Sequence, residues 1–235
     1  MKTVSIWGDS VLKGIILDNE SLKYSIFKDN SIDQVSRKTG LNFKNNSKFG
    51  MTVLKAFDLL KKSILRTPAS DFTVVELGGN DSDFDWQAIS ENPLAEHNPK
   101  TPLPVFIDCI IEMIRFLKNN GTIPILTNLT PIDSQKYFDW FTRDGLSKQN
   151  ILSWLGEINR IYHYQECYSV ALMEIAKREN CDIIDIRTPM IYSKDFPNLM
   201  CKDGIHPNEL GHKVIADTLV SFIKKKQHES NYKTA

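Results

Sequence analysis

Ser10, Asp203, His206 and Asn80 are the residues whose types and spacing can do chemistry. A serine hydroxyl is a poor nucleophile alone; it needs a base in reach, and the base needs a third group to hold its tautomer. Ser10 follows the apolar run Val4, Ile6, Trp7, which reads as a short buried strand, and sits on a partly exposed strand-end turn, Gly8-Asp9-Ser10. His206 is a suitable base. Asp203 stands three residues before it, a spacing that in a loop or one helical turn can bring a carboxylate to the imidazole Nδ1. Attack on a carbonyl creates an oxyanion, which needs preorganised donors. Asn80, in Gly78-Gly79-Asn80-Asp81, brings a side-chain N–H; a glycine brings an unobstructed backbone N–H, and the Ser10 amide is another donor. Each cluster also has a plainer reading. Gly8-Asp9-Ser10 and Asp203-Gly204 are turn signals. His206-Pro207-Asn208 fits a helix entry with Asn208 as N-cap, and Gly78-Gly79-Asn80-Asp81 fits a flexible connection. Their joint occurrence favours catalysis.

The elements that must position these residues follow from the hydrophobic pattern. Strands are predicted over 3–7, 41–45, 72–77, 123–127 and 182–186. Helical periodicity runs through 51–65 on Val53, Phe57, Leu60 and Ile64, through 104–118, through 149–179 with a break inside, and through 208–226 on Ile215, Leu219 and Ile223. Strands alternating with helices imply right-handed crossovers and a mainly parallel sheet covered on both faces. Pro124 has no N–H and is expected at the start of its strand or on an edge. In such sheets the ligand crevice lies beyond the carboxyl ends of the strands. All three polar clusters fall there, at one edge of one α/β domain spanning 1–227, with 228–235 as a flexible C-terminal tail. The loop 90–104, with Pro93, Pro99, Pro102 and Pro104, is long enough to shape a pocket rim.

Composition narrows the partners. Lys plus Arg and Asp plus Glu are both 29, so no overall basic field is available to hold nucleic acid. Lys224, Lys225 and Lys226 suit the last turns of a helix. Cys109, Cys167, Cys181 and Cys201 have neither metal-knuckle nor disulfide-framework spacing and read as free thiols in a reducing compartment. No signal peptide is visible and no segment is long and apolar enough for a membrane span, so a cytoplasmic location is expected.

GDSV at 8–11, GGND at 78–81 and DGIHPNELGH at 203–212 resemble the conserved blocks of the SGNH hydrolases, also called GDSL lipases or esterases. The block order agrees, and the similarity runs from residue 4 to about 223; Val11 stands where leucine or isoleucine is common. The resemblance implies a three-layer α/β/α, flavodoxin-like fold with a mainly parallel sheet of about five strands. It implies Ser10 as nucleophile, His206 as general base and Asp203 as its orienting acid. Gly50 and Asn80 complete the oxyanion hole with the Ser10 amide. No G-x-S-x-G elbow is present. The implied activity is hydrolysis of carboxylic esters, O-acetyl groups of carbohydrates or other short acyl esters among them, through a covalent acyl-enzyme and with no cofactor or metal. An acyltransferase or thioesterase using the same site, and a non-catalytic binding module on an inherited hydrolase scaffold, are the alternatives. The partner is then a small-molecule acyl ester; oligomeric state stays open.

Around this centre Trp86 and His97 are candidate substrate-rim residues, Trp86 either stacking on a sugar or aryl group or packing into its loop. Tyr137, Phe138, Trp140 and Phe141 either line an acyl groove or pack a helix, and Arg115 is either half of a buried pair or a surface residue. Asp81, Asp83 and Asp85 lack the glycine and terminal acid of an EF-hand loop and read as a solvated loop or pocket rim. Small acyl groups, acetyl above all, are expected to be preferred.

Overall fold

The computed structural model of the chain describes residues 2–233. Its strands are β1 (Val4–Gly8), β2 (Ile15–Leu17), β3 (Tyr24–Ile26), β4 (Phe43–Asn45), β5 (Phe72–Glu76), β6 (Ile123–Thr127) and β7 (Asp182–Ile184). Five of them form one parallel sheet in the order β4-β1-β5-β6-β7, and β2 and β3 form a separate antiparallel hairpin. The helices are α1 (Ser10–Lys13), α2 (Ser31–Thr39), α3 (Val53–Ile64), α4 (Trp86–Glu91), α5 (Leu103–Asn119), α6 (Ser134–Phe141), α7 (Lys148–Leu155), α8 (Arg160–Arg178), α9 (Arg187–Ile191) and α10 (Glu209–Lys233).

Period-two alternation builds the three layers. On β5, Val75 faces a core with Phe57 and Leu60 of α3, Ile110 and Met113 of α5, and Leu172 of α8. Its neighbour Val74 faces the opposite core, with Val35 of α2 and Ile215 and Leu219 of α10. A parallel strand buried on both faces in this way reads as a mostly apolar run, as at 72–77, where only Thr73 and Glu76 interrupt it. Pro124 sits second in the interior strand β6, ahead of the β7 ladder, whose first pair is Ile125 with Asp182. Its missing N–H therefore removes no rung from that ladder.

Several features depart from the sequence expectations, among them short helices α4 and α9, which have no counterpart there. Helix α2 has no counterpart either, although Asn30 caps it by accepting from the Ile32 and Asp33 amides and Gly40 ends it in the left-handed region. The hairpin β2–β3 is likewise new; strands of three residues are too short to show a period. Helix α10 continues to Lys233, so 228–233 is helical where a tail was expected; 234–235 lie outside the described residues. Among the described residues no helix is long and apolar enough to cross a membrane.

His212 on α10 is wholly buried, and neither ring nitrogen has a hydrogen-bond partner among the described residues. Burial disfavours the imidazolium and pushes its pKa down to about 4. The unfolded chain takes up this proton near pH 6.5 while the folded one refuses it, so stability is lost as pH falls through that window. A shift of this size corresponds to about 3 kcal/mol. Denaturant unfolding of wild type and His212→Leu is expected to show a smaller loss between pH 7 and pH 4.5 in the variant. Parallel losses in the two proteins would refute the assignment.

Candidate active site

The site lies at the carboxyl ends of β1 and β5. Ser10 is the first residue of α1, and Asp9 caps that helix by accepting the Val11 amide through Oδ1 at 2.8 Å. The cap fixes the turn, so the serine is held at the strand end. Ser10 is nonetheless buried, 7% exposed, because the loop carrying His206 closes over it; the partly exposed turn expected from sequence is thus corrected.

His206 Nε2 lies 2.9 Å from Ser10 Oγ, and His206 Nδ1 lies 2.6 Å from Asp203 Oδ2. An ionised carboxylate only accepts, so Nδ1 carries the hydrogen and Nε2 keeps its lone pair toward the serine hydroxyl. Asp203 Oδ1 also accepts the Ile205 and His206 amides, each at 3.1 Å, winding the loop tightly around the carboxylate. Burial by itself would raise the Asp203 pKa, but the His206 hydrogen bond, the imidazole charge and these two amides outweigh it and hold it below the usual range. Gly204 makes the winding possible. Its φ is +72°, and a Cβ there would lie 2.5 Å from the Asp133 carbonyl.

Asn80 faces Ser10 across the same pocket and donates one Nδ2 hydrogen to Asp9 Oδ2 at 3.0 Å. Gly79 lets the two strand ends approach, since a Cβ there would lie 3.1 Å from that oxygen. Gly50 is not among the residues that line the pocket; it follows Phe49 in the loop after β4 with φ +67°. Phe49 is the closer neighbour of the site, its ring stacked on His206 at 5.8 Å. Tyr24 on β3 packs its ring 5.1 Å from the same imidazole and 6.3 Å from Trp140. Burial, then the Asp203 charge and hydrogen bond, raise the Tyr24 pKa, so its hydroxyl keeps its proton. Neither Tyr24 nor Phe49 carries a signal in the sequence, because both reach His206 from short segments with no periodicity.

The pocket beside Ser10 holds about 70 Å³. Its apolar wall comes from Phe84, Trp86, Ile132, Tyr137 and Ile161, and Thr130 and Gln165 line it too. Trp86 therefore lines the pocket as a fixed wall, stacked on Phe141 at 4.4 Å and donating Nε1–H to Asp83 at 2.9 Å. Tyr137 shares that carboxylate at 2.8 Å, whereas Phe138 is buried in packing and Trp140 reaches the rim. His97 does not line the pocket: it bonds the Asn92 carbonyl at 2.8 Å and meets the edge of Trp154, so its expected place at the rim is corrected. Arg115 is exposed and pairs with Glu179.

The three aspartates after the Asn80 turn are structural in placement. Asp81 is fully buried, not solvated, and caps α3 by accepting the Val53 amide at 3.0 Å; burial raises its pKa to about 6. Asp83 also accepts from Lys100 at 2.7 Å, and Asp85 caps α4. Among the described residues no group of three or more His, Cys, Asp or Glu is arranged to hold a metal ion.

A parallel α/β/α sandwich with a serine, histidine and aspartate at its carboxyl edge defines a class of hydrolases, and comparison with known proteins agrees. The chain matches the model of the GDSL-like lipase/acylhydrolase family over residues 8–214 and belongs to that family. It is 23% identical over 158 residues to the GDSL esterase/lipase CPRD49 of Arabidopsis thaliana, covering 65% of this chain and 54% of that one, so it spans about half of that relative's length. Among solved structures, a lipase/acylhydrolase from Enterococcus faecalis superposes with a TM-score of 0.68 at 18% identity, covering 96% of this chain and 97% of the other. The psychrotrophic esterase EstA from Pseudoalteromonas sp. superposes with a TM-score of 0.63 at 15% identity, covering 97% and 100%. At these identities the likeness is one of fold.

Proposed function

We propose that the protein hydrolyses short-chain carboxylic esters, O-acetyl groups on carbohydrates or aryl alcohols foremost, through an acyl-enzyme on Ser10. The observation that carries the reading is the Asp203–His206–Ser10 relay, with links of 2.6 and 2.9 Å, opening on a small apolar pocket. Ser10 Oγ attacks the ester carbonyl while His206 Nε2 takes its proton. The oxyanion receives the second Nδ2 hydrogen of Asn80 and the Ser10 amide, with the Gly50 amide as the third donor in this reading. Collapse of the tetrahedral adduct breaks the bond to the alcohol, which leaves with the proton from His206. Water, deprotonated by the same nitrogen, then releases the carboxylic acid and restores the serine. Asp203 stays ionised throughout and stabilises the imidazolium.

Pocket size supports the choice of acyl group. A cavity of about 150 Å³ accommodates benzene, and this one holds about 70 Å³, room for a few carbons. On the alcohol side, Tyr24, Phe49 and Trp140 form an aromatic rim near His206, suited to the face of a sugar or aryl ring. Overfilling a packed wall costs about 1–3 kcal/mol, so kcat/KM is expected to fall by roughly 10–100-fold from acetyl to octanoyl esters of one alcohol. A steady rise from acetyl to decanoyl would reverse the assignment of chain length.

A further inference from the structure

A buried carboxyl lies behind the nucleophile turn and has no part in the relay. Glu76 closes β5, is 1% exposed, and accepts the Asp9 amide through Oε2 at 3.2 Å. A Cβ on Gly8 would lie 2.9 Å from that oxygen, so the glycine of the turn is what leaves room for it. Asp9 is 3% exposed, and the Glu76 oxygen that accepts its amide sets the two buried acids side by side, where each acts on the ionisation of the other. Two carboxylates in contact and away from water cannot both ionise, so the pair keeps one proton. Burial raises the Asp9 pKa too, but of the two acids Asp9 has more partners that favour charge: the Val11 amide, the nearby His206 imidazole and the Asn80 amide. The charged neighbour of Glu76 is Asp9 itself, and burial followed by that charge raises the Glu76 pKa well above the usual range. Asp81, also buried, adds repulsion to Asp9 from the far side of the Asn80 turn.

We propose that Glu76 is a positioning residue: as a neutral acid it donates its proton to Asp9, which stays anionic and holds the Asn80 amide toward the oxyanion. The same Asp9 charge supports the His206 imidazolium alongside Asp203. The role in turnover rests on the ester-hydrolysis reading; the location of the proton does not. Glu76 thus keeps a single negative charge behind the oxyanion donor, where a second would oppose the charge that develops in the transition state.

Two variants and two measurements test the proposal. Glu76→Gln retains a neutral donor to Asp9 and an acceptor for its amide, whereas Glu76→Leu removes both. In denaturant unfolding from pH 5 to pH 8, wild type is expected to lose stability relative to Glu76→Gln. The unfolded chain releases the glutamate proton near its ordinary pKa while the folded one retains it, so the raised pKa weakens folding as pH climbs. In turnover of acetyl esters, Glu76→Gln is expected to stay within a few-fold of wild type. Glu76→Leu should lose roughly 10²-fold in kcat with KM little changed, the scale of a misplaced catalytic group. Equal losses in the two variants, or a stability difference that does not change with pH, overturn the role of Glu76. If wild type itself turns over no ester, the reading beneath the positioning role falls and takes that role with it, while the pH series still decides where the proton sits.

Discussion

Ser10→Ala is expected to reduce kcat on acetyl esters by roughly 10⁶-fold, the scale on which removal of a serine nucleophile falls. The hydroxyl is the atom that bonds to the acyl carbon, and no neighbouring group can replace it. Cys201, the cysteine nearest His206 in sequence, is buried, and burial raises its thiol pKa to about 11, which leaves it protonated at neutral pH. The fold should tolerate the change. Ser10 Oγ makes its hydrogen bond to His206, and the cap on α1 is supplied by Asp9. Losing one such bond costs about 1 kcal/mol, a small part of the net stability of a domain. A fluorophosphonate probe is expected to label wild type at Ser10, the oxygen displacing fluoride from phosphorus, and to leave the variant unlabelled. Unchanged turnover by a folded Ser10→Ala protein would remove Ser10 from the mechanism.

Asn80→Ala separates the oxyanion hole from the relay. Charge on the carbonyl oxygen grows only as the carbon becomes tetrahedral, so the variant should lower kcat much more than it changes KM. Loss of one such donor costs about 2.7–4 kcal/mol, or roughly 10²–10³ in rate. The relay remains, so Ser10 should still react with a phosphonate, more slowly. Asn80→Asp should be at least as harmful: it sets a carboxylate against both the oxyanion and Asp9, which now accepts from Asn80 Nδ2. A purely structural role predicts something else, earlier melting with loss of binding in both variants. Yet the turn holds itself through Ser82, whose amide bonds the Gly78 carbonyl at 3.0 Å and whose hydroxyl bonds the Gly79 carbonyl at 3.1 Å. Thermal denaturation beside kinetics distinguishes the two. A stable Asn80→Ala enzyme with near-wild-type kcat would dismiss Asn80 as a donor.

The amino-acid sequence by itself determined the layered fold and the place of the site. Parallel strands buried on both faces are largely apolar, so runs such as 72–77 announce themselves, and all five strands of the main sheet overlap the expected segments, β1 running one residue past its own to Gly8. Parallel strands all end on one edge, which is why turns as far apart as Gly8-Asp9-Ser10 and Asp203-Gly204-Ile205-His206 can be assigned to one crevice before any coordinates exist. Asp203 and His206 are also close in sequence, and a three-residue loop can bring a carboxylate onto its own imidazole. The tertiary structure alone decided what surrounds them. Tyr24 and Phe49 reach His206 from a three-residue strand and a loop, segments too short for a period to betray which side faces inward. His97 and Trp86 looked equivalent as rim residues, and only packing sent one against Trp154 and the other into the pocket wall. Ionisation was least legible of all. Asp81, Asp9 and Glu76 are ordinary carboxylic acids in the chain, and their changed character comes from lost solvent and from neighbours contributed by other segments. Desolvation and charge–charge repulsion act through space, so they exist only once the chain has folded.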